Sequence, residues 1–172
     1  MHLLKWALIL AAVLSAACGS RPAVTSESLS LTPAQAAKVQ LDVRAFAQVV
    51  AHDVTQDGPI AWRRHFSDGP SFFMAAEGNM AFPNSEAATS GLQEVARRIK
   101  HIELKWVDDL RVDPLTPDLA VFATPWHEVQ VDAAGKQVDE AGFFTAIVEY
   151  RNGHWQFRDV HWSWPESGPE VH

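Results

Sequence analysis

The stretch YRNGHWQFRDVHWSW, residues 150–164, carries the strongest structural signal in the sequence. Its Asn152-Gly153 pair is the strongest short signal for a β-hairpin with a two-residue turn. Such a turn pairs Arg151 with His154 and sets the register of the strands on either side. Aromatic and aliphatic side chains alternate with polar ones, a pattern typical of a sheet with one buried face. These residues predict the final hairpin of an antiparallel sheet.

Helices are predicted ahead of this sheet. Thr32 and Gln35 form a capping box around Pro33, and apolar residues then recur at helical spacing to about residue 54. The elements that follow are a short helix after Asp57, a strand over residues 71–78, a third helix with a capping box at Ser90 and Gln93, and strands from residue 102 and near 118–131, 138–150 and 154–164. Helices first and antiparallel strands last predict an α+β fold with helices against one face of the sheet.

The composition is that of one globular domain. Of the 172 residues, 47% are hydrophobic and 20% are charged, and this length allows one sizeable core. The formal net charge of -7 argues against nucleic acid as a partner and against attraction to anionic lipid. We place the domain at residues 32–165, followed by a tail over residues 166–172.

The first 17 residues read as a signal peptide, because Lys5 precedes an apolar run over residues 6–17 that is too short to span a membrane stably. Ser15 and Ala17 suit a general signal peptidase, whereas the cysteine that follows suits lipidation in a bacterial lipoprotein. Both interpretations cut the chain before Cys18. Cys18 is the only cysteine, so no internal disulfide can form. We expect an exported protein of the cell envelope or periplasm, with a flexible tether over residues 18–31 and membrane attachment only through a lipid on Cys18.

The order of elements and the closing strand resemble the nuclear transport factor 2-like superfamily, particularly its SnoaL-like branch. The most specific match is GHWQFRDVHWS, residues 153–163, and SGLQEV and GFFTAIVEY are weaker matches. The resemblance covers about residues 33–164. It implies a curved antiparallel sheet wrapped around N-terminal helices to form a conical pocket, usually in a homodimer. It does not imply one function, because members include isomerases, cyclases, epoxide hydrolases and non-catalytic binders.

The register that starts at the Asn-Gly turn puts polar residues on the core face of the sheet. Asp159 and His161 lie on that face, and a two-residue turn at Ala134-Gly135 adds His127 to it. A longer loop at the second turn would reverse the faces of the strand that carries His127.

We predict Asp159 and His161 as catalytic residues, with a desolvated carboxyl or an oriented imidazole serving as general acid or base. The structural alternative is that Asp159 pairs with Arg63, Arg64 or a backbone donor. No spacing of ligands supports a metal site, and no cofactor motif is present. The predicted ligand-binding residues are His127, Ser163, Trp62, Arg63, Phe144 and Phe157.

The opposite face carries the aromatic row of Trp126, Phe143 and Trp162, which is too apolar for a solvated surface. We expect this row to form a homodimer interface, the alternative being a cover formed by the chain after Trp164. The function we favour is that of an accessory or binding domain for a small apolar molecule. The alternatives are a cofactor-free isomerase, cyclase or hydrolase and a protein-interaction module.

Overall fold

The computed structural model describes residues 31–107 and 110–165. The predicted signal peptide, the tether with Cys18 and the tail lie outside these ranges, apart from residue 31. The helices are α1 (Pro33–Asp57), a short 3-10 turn (Pro59–Ala61), α2 (Trp62–His65) and α3 (Ser85–Arg98). The strands are β1 (Phe73–Ala76), β2 (Asn79–Phe82), β3 (Ile99–Trp106), β4 (Arg111–Thr116), β5 (Leu119–Asp132), β6 (Gln137–Arg151) and β7 (His154–Ser163).

Helix α1 begins as its capping box predicts. The Thr32 hydroxyl accepts a hydrogen bond from the Gln35 backbone N–H at 3.2 Å, and the Gln35 side chain accepts one from the Thr32 N–H at 2.9 Å. The helix ends at Asp57, because the following Gly58 has a positive φ of 77°, which lies outside the range of a right-handed helix. Its buried stripe consists of Val39, Val43, Ala47, Val50 and Val54. Among the helices of the described ranges, none is long and apolar enough to cross a membrane.

The strands form one open, curved sheet in the order β2-β1-β7-β6-β5-β3, and β4 pairs with β5 beside β3. All neighbouring pairs are antiparallel except β1 and β7. The helices pack on the concave face, where the core contains the fully buried aromatic side chains of Phe122, Phe144 and Phe157. The predicted α+β class and the helices on one face of the sheet are confirmed.

A β-bulge shifts the register of the last hairpin. The Asn-Gly turn pairs Arg151 with His154 as predicted, but Phe157 and Asp159 lie opposite consecutive residues of β6. Arg158 is therefore an extra residue. Beyond it, each side chain of β7 lies on the face opposite to the one that a strand without a bulge predicts. The prediction that Asp159 and His161 lie on the core face is wrong.

The loop between the paired residues of β5 and β6 has five residues, 132–136, in place of the predicted two-residue turn, and Asp132 also pairs with Ile99 as the last residue of β5. Val131 pairs with Gln137 across this loop, which sets the register of the whole pair. The two faces of β5 are consequently exchanged relative to the prediction. Glu128 faces the helices and His127 faces away, so the longer-loop alternative describes this sheet.

The predicted strand over residues 71–78 is only the first half of a hairpin. β1 and β2 meet at Glu77 and Gly78, which both have positive φ values of 49° and 74°. Helix α3 then starts at Ser85, because the Asn84 side chain accepts a hydrogen bond from the Ala87 N–H at 2.8 Å. The predicted start at Ser90 is therefore wrong, and that residue lies inside the helix.

Candidate functional site

An apolar cavity of about 210 Å³ lies between the concave face of the sheet and helices α2 and α3. Its aliphatic walls come from the last turns of α3, from β3 and from β1, where the side chains of Leu92, Val95, Ile99, Ile102 and Met74 line it. The amphipathic pattern of α3 explains this placement, since its apolar side faces the sheet. The cavity is the pocket between sheet and helices that this architecture provides.

Aromatic rings form the remaining walls. Trp62 and Trp162 meet edge to face with ring centroids 5.4 Å apart, and Trp164 lies 6.3 Å from Trp162. Trp126 packs behind them, 4.8 Å from Trp162 and 5.6 Å from Trp164. Edge-to-face indoles hold one another in fixed orientations, so this corner of the cavity is preorganised.

The polar end of the cavity is Glu128, on the inward face of β5. Glu128 is buried, with only 4% of its surface exposed. Burial raises the pKa of the Glu128 carboxyl to about 7, although a hydrogen bond from the Gln130 side-chain amide to Oε1 opposes the rise. Gln130 provides the only hydrogen bond to the Glu128 side chain from the described residues. Glu128 is also among the residues that line the cavity.

A second carboxylate stands beside the first. Glu140 of β6 is the register partner of Glu128, and its negative charge contributes to the raised pKa of Glu128. Its Oε2 accepts a hydrogen bond from the Trp164 indole N–H at 3.1 Å. The described residues that line the cavity include no Lys, Arg or His. This end of the cavity is therefore acidic.

An apolar cavity that ends at a buried carboxyl can bind a small molecule or transfer a proton. An apolar space with a single hydrogen-bonding end binds a small molecule in a fixed orientation. A carboxyl whose pKa is about 7 also exchanges a proton readily at neutral pH, which is the property of a general acid or base.

The predicted catalytic residues lie outside this cavity. Asp159 faces away from the helices and accepts hydrogen bonds from the Arg158 side chain, the shorter at 2.6 Å. His161 is exposed on the same outer face, beside the exposed Phe73. Asp159 thus pairs with Arg158, and the structural alternative of a pair with Arg63 or Arg64 is wrong.

The predicted ligand-binding residues are scattered. Trp62 lines the cavity. Phe144 and Phe157 are fully buried in the core next to it. The remaining three lie elsewhere: His127 contacts Asp139 at 2.7 Å on the outer face, Ser163 donates to the Phe143 carbonyl oxygen at 3.2 Å, and Arg63 bonds to Thr89, to the Phe66 carbonyl oxygen and to Asp68.

The predicted interface row is divided between the two faces of the sheet. Trp126 and Trp162 are 1% and 7% exposed and belong to the core, so their assignment to an outer interface is wrong. Phe143 does face outward and is 45% exposed. The bulge and the five-residue loop explain this division, because each exchanges the faces of one strand.

A buried histidine, His65, joins helix α2 to helix α1. His65 of α2 lies 3.1 Å from Asp53 of α1, and Phe46 packs against the edge of its ring. Burial lowers the pKa of His65 despite the neighbouring Asp53 charge. The residue does not line the cavity, and its contacts join α2 to α1. In residues 31–107 and 110–165, no three His, Cys, Asp or Glu side chains are grouped to hold a metal ion.

Glu128 was missed although a local signal was available. In FATPWHEVQ, residues 122–130, the aromatic Phe122 and Trp126 share the two-residue phase of Glu128 and Gln130. With Phe122 and Trp126 as markers of the buried face, the same alternation places Glu128 and Gln130 in the interior.

Comparison with protein-family models and with curated protein sequences finds no match. Solved structures do match. A nuclear transport factor 2-like superfamily protein from Salmonella enterica serovar Typhimurium is 14% identical, with a TM-score of 0.66 over 79% of this chain and 98% of its own. A protein of unknown function from Shewanella oneidensis, described as similar to nuclear transport factor 2, is 14% identical, with a TM-score of 0.58 over 73% and 98%.

A type 2 hexachlorocyclohexane dehydrochlorinase is 13% identical, with a TM-score of 0.61 over 76% of this chain and 87% of its own. These likenesses show that the chain has the nuclear transport factor 2-like fold. Within that fold it has an aromatic cavity that ends at a buried glutamate.

Proposed function

We propose that this domain binds a small, largely apolar molecule in the cavity between the sheet and helices α2 and α3. The observation that carries the proposal is the apolar, aromatic lining around one inward-facing carboxyl, Glu128. Drug-sized pockets measure roughly 300–1,000 Å³. At about 210 Å³, this cavity suits a smaller ligand.

The test is to fill the cavity from one wall. Val95 of α3 lines it, so Val95→Phe should place a ring inside and weaken ligand binding. Val49 is exposed on α1 and does not line the cavity, so Val49→Phe is the matched control. Small molecules that co-purify with the full chain would be identified by native mass spectrometry and then titrated against both variants. Equal binding by the two variants would contradict the proposal.

A second candidate is a cofactor-free enzyme that moves a proton in an isomerisation, cyclisation or elimination. It is favoured by the pKa of Glu128, which at about 7 suits a general acid or base at neutral pH. Glu128 takes the role that the sequence suggested for Asp159 or His161. Glu128→Gln should then abolish turnover of a substrate while leaving its binding largely intact. Unchanged turnover in that variant would exclude this candidate.

Export, lipid anchoring and dimerisation are further proposals. The apolar run that precedes Cys18 supports export and acylation of that cysteine, and Cys18→Ser should then abolish incorporation of a labelled fatty acid. The exposed Phe143 and Phe73 support an outer-face contact between two copies. Phe143→Glu should in that case shift the mass measured by light scattering from dimer to monomer.

A further inference from the structure

The charge of the cavity lining restricts its ligand. The lining combines aromatic rings with one carboxyl, and Lys, Arg and His are absent from its described residues. We infer that the cavity selects a small lipophilic ammonium ion, that is, a protonated or quaternary amine. This inference rests on the proposed ligand-binding function and adds the chemical class of the ligand.

The aromatic walls suit a cation. Trp62, Trp162 and Trp164 line one corner, and edge-to-face packing turns the rings of Trp62 and Trp162 to an interplanar angle of 82°. A cation is attracted to the face of an aromatic ring within about 6 Å of its centroid, most strongly for indole. Several aromatic rings around one site are the surface that recognises quaternary ammonium groups, and three indoles line this corner.

The acidic end supplies the complementary charge. Glu128 and Glu140 are opposite one another in the β5–β6 register, and Glu128 lines the cavity. A buried negative charge is unfavourable unless an opposite charge or several donors compensate it. Gln130 gives one such donor to Glu128, and the Trp164 indole gives one to Glu140. A cationic ligand adds the missing compensation, whereas a neutral ligand of the same shape does not.

The size of the cavity favours a compact head group over a long chain. At about 210 Å³, it accommodates an alkylammonium group with a short substituent. Choline and its neutral carbon isostere, 3,3-dimethylbutan-1-ol, are therefore suitable probes, because they have the same shape and differ in charge.

The experiment titrates the purified full chain with each probe by calorimetry at about pH 8, where Glu128 is ionised. We expect choline to bind at least about 10-fold more tightly than the alcohol, from the cation–π attraction combined with the attraction of opposite charges. In Glu128→Gln this preference should shrink to the part that the aromatic rings supply, while the alcohol still binds. Trp164→Leu should weaken choline binding more than alcohol binding, and Glu94→Gln, on an exposed side of α3, should change neither.

The outcomes separate the inference from the function on which it rests. If the alcohol binds as tightly as choline, or if Glu128→Gln retains the full preference for choline, the inference is wrong and the apolar binding function stands. If neither probe binds saturably, both fail. If the preference for choline is present in the wild type and reduced in Glu128→Gln, the ammonium class is established for this cavity.

Discussion

Replacing Glu128 with Gln should stabilise the protein at alkaline pH. Burial, reinforced by the Glu140 charge and opposed by the Gln130 hydrogen bond, raises the pKa of the Glu128 carboxyl from 4.5 to about 7. Because the unfolded chain has the ordinary pKa, the folded state binds more protons between these two values, and stability falls as the pH rises through them. At about 1.4 kcal/mol per pH unit, the ionised carboxyl lowers the free energy of unfolding by about 3 kcal/mol above pH 7.

Urea unfolding of the wild type and of Glu128→Gln, near pH 4.5 and near pH 8, measures this effect. We expect the two proteins to differ little at the acidic pH, where the carboxyl is protonated in the folded state and about half protonated in the unfolded chain. At the alkaline pH the variant should be more stable by about 3 kcal/mol. Glu94→Gln is the control, because the Glu94 side chain is 62% exposed on α3 and its substitution should show no such pH dependence. A difference that does not change with pH, or a variant less stable than the wild type near pH 8, would show that burial does not raise the pKa of Glu128.

Three further predictions concern the residues around the cavity and on the outer face. Gly142→Ala should cost roughly 2–4 kcal/mol in thermal unfolding, because its methyl group would overlap the Ser163 carbonyl oxygen and press on Trp126; a loss below about 0.5 kcal/mol would contradict this. Asp159→Asn should leave ligand affinity unchanged and alter stability by less than about 1 kcal/mol, and a selective loss of binding would contradict the outward placement. Glu140→Gln should lower the pKa of Glu128 in a carboxyl NMR titration, and an unchanged pKa would exclude the influence of the Glu140 charge.

The sequence predicted the elements whose signals are local. The capping box of α1 involves residues three positions apart, and the Asn152-Gly153 turn is complete within four residues. Both are confirmed in position as well as in type. The α+β class followed from the order of such elements, so it did not depend on the details of strand pairing.

The placement of the site was not predicted, because it depends on the register of the sheet. One extra residue at Arg158 and a loop of five residues after Val131 each exchange the two faces of a strand. Neither feature has a clear signature, since a bulge is stabilised by the packing on both sides of it. A register without these two features places Asp159 on the inner face and Glu128 on the outer face, the reverse of what is observed.

The extra residue at Arg158 also determines how the strand would respond to the loss of a residue. Phe157 and Asp159 already lie opposite consecutive residues of β6, so removal of Arg158 would leave every other pair of β6 and β7 in place. Asp159 and His161 would stay on the outer face, and Val160 and Trp162 would stay inside. In a lineage of such proteins, the gain or loss of one amino acid at this point is therefore a change that the lining of the cavity can survive.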